Sequence, residues 1–242
     1  MSSAIKVADL TKSFKENFWE KPKQVLKGVS FQVHESQTCG FVGNNGSGKT
    51  TTLKCILQFI FPDEGEALFF GEPLNEKTKM KIGYLTERPY FYEFLTAKEY
   101  LKFHWELSGG KAHFNDRAAA VLKQVDLTHA TDKRLRSFSK GMLQRMGLAQ
   151  ALLHEPHLLI LDEPMSGLDP DGRLIVKEIL RDLKSKQVGI FFSSHLLEDM
   201  EQLCDELVVV HQGKIIFNES LTRFMAQFES LEKAFKNFKA GL

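Results

Sequence analysis

Apolar side chains fall on every second position in residues 4–10 and again in residues 29–33, the period of a strand with one covered face. Residues 15–24 between them are polar apart from Phe18 and Trp19, which predicts an exposed hairpin loop. Residues 38–42 are then nearly continuous apolar sequence and run straight into a glycine-rich loop, as a buried strand would. A helix is predicted from Thr50 to about Phe59, a turn at residues 62–65, and short strands at 66–70 and 81–85.

From Arg88 to about His154 the period changes. Leu95, Tyr100, Phe103, His104 and Leu107 recur at helical spacing, as do Ala118, Val121, Leu122 and Val125, and no stretch reads as a strand. This predicts a helical insert at 88–156. Alternating strands and helices return at 158–161, 173–186, 188–193 and 196–203, and strands at 207–211 and 214–217 meet across Gln212-Gly213. Leu221, Phe224, Met225, Phe228, Leu231, Phe235 and Phe238 share one face of a predicted helix over 219–242, suited to packing on the body or to contact with a partner. The fold class is α/β, in one domain over 1–242, with 1–87 and 157–218 forming the core.

Composition narrows the class. A 43% hydrophobic fraction supplies a core and excludes disorder as the dominant state. Lys plus Arg is 32 against 31 acids, a net charge of +1, so no global basic field exists and no nucleic-acid partner is expected. No window approaches the roughly 18 apolar residues of a membrane span. The first ten residues carry no secretory pattern. Cys39, Cys55 and Cys204 are scattered and fit neither a disulfide framework nor a zinc site, so buried thiols in a reducing compartment are expected.

Two motifs carry chemistry. Gly43-Asn44-Asn45-Gly46-Ser47-Gly48-Lys49-Thr50 matches the phosphate-loop pattern and stands between a predicted strand and a predicted helix, the context that pattern requires. Its glycines let backbone N–H groups and the helix N-terminus face phosphates, Lys49 adds a charge, and Thr50 offers a hydroxyl to Mg²⁺. Asp162 and Glu163 follow a strand of four apolar residues. Asp162 is a candidate for holding Mg²⁺ and Glu163 for the general base that polarises the attacking water. Together the motifs specify a P-loop nucleoside triphosphatase.

Further segments narrow the family: Ser139-Lys140-Gly141-Met142 opening a helix, Ser166-Gly167-Leu168-Asp169-Pro170 after the acids, and Ser193-Ser194-His195 ending the next strand. In this order the chain resembles the ATP-hydrolysing subunits of ABC transporters over residues 4–218. The resemblance implies a parallel P-loop ATPase core, an antiparallel β subdomain and a helical subdomain bearing the Ser139 signature. It implies ATP and Mg²⁺, with two copies head to tail and two ATPs between them. Residues Gly43 to Thr50 and Thr51 would hold the phosphates, and Ser139 and the Gly141 N–H of one copy would cover the γ-phosphate on the other. Asp169 would link the two sites, and His195, as a neutral donor, would hold Glu163 and water in line. Phe14 matches the position of the ring that stacks on adenine, with Phe18 and Trp19 as rivals.

Two positions depart from the commonest family pattern. Lys140 and Met142 stand in a signature that is often Ser-Gly-Gly-Gln, and Glu87 occupies a position that is usually glutamine. Glu87 can still coordinate metal or water but lacks the amide donor. Both departures resemble exporter ATPases whose permease is a separate chain. That implies a peripheral location on the cytoplasmic face of the inner (plasma) membrane, with residues 89–95 bordering the permease groove. The alternative is an ABC-type ATPase without a transporter, as in iron–sulfur assembly. The DNA-repair branch needs coiled coils where only about ninety residues separate loop and signature. The translation branch needs two cassettes, and a P-loop kinase leaves Ser139-Lys140-Gly141-Met142 without a role.

Overall fold

The computed structural model describes residues 2–15, 17–19, 21–110 and 112–227. Two sheets organise them. β1 (Ser3–Phe14), β2 (Lys23–His34), β4 (Glu64–Phe69) and β5 (Glu72–Pro73) form an antiparallel sheet in the order β2-β1-β4-β5. The second sheet contains β3 (Thr38–Val42), β6 (Ile82–Leu85), β7 (Leu158–Leu161), β8 (Gly189–Ser194), β9 (Glu206–His211) and β10 (Lys214–Ser220). Its order is β10-β9-β3-β8-β7-β6, and only the β9–β10 pair is antiparallel.

Burial on both faces explains the unbroken apolar runs of the central strands. Leu158 and Ile160 of β7 join the cluster shared with the antiparallel sheet, while Leu159 and Leu161 join the cluster under the helices. Phe191 of β8 packs with Phe31 of β2 and Phe41 of β3 at centroid distances of 5.5 and 5.4 Å, and its neighbours Ile190 and Phe192 face the other way. Helix α1 (Lys49–Ile56) adds Leu53, Cys55 and Ile56 to the cluster that joins the sheets. It stops before Phe59, because Gln58 takes a left-handed φ of 58° and the amides of Gln58 and Phe59 return to the carbonyls of Cys55 and Lys54. The predicted turn at 62–65 is shorter too, since β4 begins at Glu64.

After α2 (Glu76–Lys79) and β6 come α3 (Ala97–Leu107), α4 (Phe114–Gln124) and α5 (Lys140–Leu152). Thr96 and Glu99 form a capping box that fixes where α3 starts. Its buried face is then Ala97, Tyr100 and Leu101; Phe103 and Leu107, expected on that face, are exposed. Arg117 of α4 donates to the carbonyls of Leu152 and Leu153 at the end of α5. Gly83 of β6 lies so close to α5 that a Cβ there would strike the Ala151 carbonyl. The insert is thereby seated on the sheet edge.

The remaining helices are α6 (Pro170–Ser185), α7 (Leu197–Leu203) and α8 (Leu221–Gln227). Asp169 caps α6 by accepting from the Gly172 amide at 2.9 Å, and Pro170 sits at the first turn, so this helix begins earlier than its apolar spacing predicts. Phe224 of α8 is buried edge-on against Phe217, and Leu221 and Met225 pack beside it. Phe228, Leu231, Phe235 and Phe238 lie outside the described residues. The three cysteines are buried and free. Burial pushes the Cys39 and Cys204 thiols well up and Cys55 to about 11, so all three are inert. Among the described residues, no helix is long and apolar enough to cross a membrane.

Candidate active site

The parallel sheet delivers its chemistry at the C-terminal ends of adjacent strands, where ligands of open α/β sheets gather. β3 runs into the phosphate loop and α1. Gly43 is packed so tightly that a Cβ would strike the Ser47 hydroxyl and the Val210 carbonyl. Gly46 and Gly48 take φ of 79° and 110°, conformations that glycine adopts without steric cost. Lys49 is buried, and its ammonium donates to the Gly43 carbonyl at 2.7 Å inside the loop. The buried Ser47 hydroxyl has no partner among the described residues.

β7 ends in the acids. Asp162 is buried, and its Oδ1 accepts from the Ser193 hydroxyl at 2.6 Å and from the Thr50 hydroxyl at 3.5 Å. Burial pushes its carboxyl up; the hydrogen bonds from Ser193 and Thr50 oppose that, while the nearby Glu87 charge adds to it. Its Oδ2 has no partner among the described residues. An unpartnered carboxylate oxygen beside a hydroxyl is a hard oxygen donor set, and it fits Mg²⁺.

Glu163 has a left-handed φ of 50°, local strain of the kind that gathers at functional sites. Its carboxylate lies 3.6 Å from Lys49 Nζ through Oε1 and accepts from His195 Nδ1 at 2.8 Å through Oε2. His195 follows β8 directly, so β3, β8 and β7 each supply one part of a single cluster.

A cleft of about 560 Å³ opens over this cluster. Asn44, Asn45, Gly46, Gly48, Lys49, Thr50 and Thr51 line it, together with Glu163, His195, Glu87 and Phe14. Gly43, Ser47 and Asp162 are buried beneath it. Phe18 and Trp19 are absent from its lining and are 93% and 82% exposed. Lys23, Val25 and Ser166 also line the cleft, and Ser193 lies below it; sequence reading assigned none of them a role. Lys23 was missed because residues 15–24 read as a loop, whereas β2 begins at Lys23 and pairs it with Phe14.

Ser139, Gly141 and Asp169 do not reach this cleft. They line a separate cavity of about 410 Å³ with Lys140, Gly167 and Asp171. Ser139 caps α5 by accepting from the Met142 amide at 3.3 Å. The aromatic segment divides: Phe91 is buried against Tyr100, whereas Tyr90, Tyr92 and Phe94 are exposed, with Tyr92 edge-on to Tyr90 and Phe103 and tilted against Phe94.

The ABC transporter family model matches residues 26–166, more than half of the chain. The chain belongs to the ABC transporter ATP-binding family. An uncharacterized ABC transporter ATP-binding protein of Nostoc sp. is 42% identical to this ABC ATPase over 232 residues, 92% of this chain and 68% of that protein. The bacitracin transport ATP-binding protein of Bacillus licheniformis is 40% identical over 220 residues, 89% and 69% of the two chains. A solved ATP-binding subunit of an ABC transporter superposes with a TM-score of 0.85 at 30% identity, covering 98% of this ABC ATPase and all of that chain. The family binds and hydrolyses ATP, and the fold is the ABC ATPase fold.

Proposed function

We propose that this ABC ATPase hydrolyses ATP at the interface of two copies and thereby drives export through a separate membrane permease. The observation that carries the reading is Glu163 held between Lys49 and His195 above the phosphate loop. In this reading Phe14 stacks on adenine, the loop amides from Gly43 to Thr51 hold the phosphates, and Lys49 pairs with the β- and γ-phosphates. Thr50 and Asp162, with Glu87 nearby, hold Mg²⁺, which when bound neutralises phosphate charge. Glu163 accepts the proton of the attacking water, and His195 fixes the carboxylate that does so. Ser139, Gly141 and Asp169 of a second copy close the site, because on their own chain they line a different cavity.

The bacitracin transport relative supports transport as the coupled process, and the Glu87 and Lys140 departures support the exporter branch. Replacing Glu163 by Gln keeps every phosphate contact and removes the base. ATP turnover is expected to fall by about 10²-fold or more, and the variant is expected to accumulate as an ATP-bound dimer in size-exclusion chromatography with light scattering. Turnover close to that of the unmodified chain removes Glu163 from the role of base.

A further inference from the structure

Strand pairing brings Phe14 to the cleft but holds it loosely. The residue is 40% exposed, so core packing does not fix the ring. β1 pairs with β4 only as far as Thr11, which stands opposite Glu64. Beyond Thr11 the strand keeps β2 as its neighbour, and that ladder shifts register between Lys12 and Ser13. A ring at the end of such a strand must be ordered before a base can stack on it, and that ordering costs affinity.

Asp63 supplies the missing support. It stands just before β4, after the turn that closes α1. Its amide donates to the Thr11 carbonyl at 2.8 Å. One carboxylate oxygen accepts from the Ser13 amide at 2.6 Å and the other from the Lys12 ammonium at 2.9 Å. These bonds grip residues 11–13 where the β4 ladder has ended. The Lys12 ammonium also lies over the Phe14 ring, 5.7 Å from its centre, within reach of a cation–π contact. The Lys12 bond, with the Ser13 amide adding to it, holds the Asp63 carboxyl below its ordinary range, so the carboxylate is charged at neutral pH. The first residues of α1, Lys49 and Thr50, lie at the phosphate end of the cleft. Through Asp63 the closing turn of the same helix holds the aromatic end.

We propose that Asp63 and Lys12 are positioning residues for the nucleotide base, holding Phe14 where adenine stacks. The inference rests on Phe14 being the stacking ring. Neither side chain lines the cleft, so both act through the ring and not as ligands.

The test is a double-mutant cycle on the full chain, read as the ATP dissociation constant with Mg²⁺ by isothermal titration. Asp63→Ala is expected to weaken ATP binding about three- to tenfold, the upper end being the loss of the stack itself. Lys12→Met is expected to weaken it as well, while Lys12→Arg, which keeps a cation beside both Asp63 and the ring, retains the affinity. In a Phe14→Ala background both losses are expected to disappear, because a residue that acts through the ring has nothing left to act on. Turnover at saturating ATP is expected to be kept in Asp63→Ala while KM rises. The melting temperature separates unfolding from weakened binding, and Lys12→Met carries the cycle where Asp63→Ala does not fold. A loss of equal size with and without Phe14, or no loss with Phe14 in place, overturns this inference alone. ATP affinity unchanged by Phe14→Ala overturns the stacking reading, and this inference with it.

Discussion

Ser193 ties the two acids together. Its hydroxyl donates to Asp162 and accepts from the Glu163 amide at 2.9 Å, so one fully buried side chain fixes both acids. Asp162 is the costly member. Its carboxyl sits above the ordinary range because of burial, so the folded chain holds that proton at a pH where the unfolded chain has lost it. Stability contributed at this residue therefore falls as pH rises from the ordinary carboxylate pKa through the raised one, and above that window the buried charge remains as a penalty. Asp162→Asn is expected to raise the melting temperature of the nucleotide-free chain by ~2–4 °C at neutral pH and to abolish Mg²⁺-dependent turnover. The gain is expected to vanish below pH ~4, where the native carboxyl is protonated as well. A gain that persists in acid assigns the stabilisation to another cause. Asp162 and Glu163 were legible because they follow an apolar strand. Ser193 was legible only as part of a motif, since its role depends on β8 lying beside β7, a long-range pairing that no local pattern encodes.

At the scale of elements, the β1–β2 hairpin decides which aromatic ring lies at the cleft. Phe14 is the last residue of β1 and pairs with Lys23, while the Lys12 ammonium lies 5.7 Å from the centre of its ring and binds Asp63 at 2.9 Å. Strand pairing therefore places Phe14 at the cleft and leaves Trp19 on the loop. Phe14→Ala is expected to weaken ATP binding about tenfold, the scale of one base–ring stack, and Trp19→Ala to leave it unchanged; isothermal titration separates the two, and the reverse ranking transfers the stacking role to Trp19. Most strands were legible to within two residues, because burial on one or both faces writes itself as alternation or as an apolar run. Element ends were less so. α6 starts early because Asp169 caps it, and α1 stops early because Gln58 closes it, both events of hydrogen bonding rather than of hydrophobic period.

At the scale of the whole molecule, the nucleotide-motif cleft and the signature cavity share no lining residue among the described residues. Under the proposed function such a chain works as one of a pair, and the sequence order of the motifs showed the parts without showing that they line separate cavities. The exposed ring cluster of Tyr90, Tyr92, Phe94 and Phe103 is the surface proposed for the permease, aromatic as interface anchors tend to be. Phe103 was read as one of the apolar residues recurring at helical spacing; on α3 it is exposed and adds to this patch. An integral membrane chain is expected to co-purify from detergent-solubilised membranes, and Tyr90→Ala combined with Phe94→Ala is expected to lose most of it. Recovery of a scaffold for iron–sulfur assembly in place of a membrane chain overturns transport as the role.

Glu87 lines the nucleotide cleft, and Tyr90, three residues on, is 81% exposed. Three extended residues span at most about 10 Å. The tether between the phosphate end of the cleft and the outermost ring is thus shorter than a helix is wide, too short to absorb much slack. Under the proposed function, a shift of Glu87 as phosphate binds and leaves is expected to displace that ring, and a push on the ring to return to the cleft by the same few bonds.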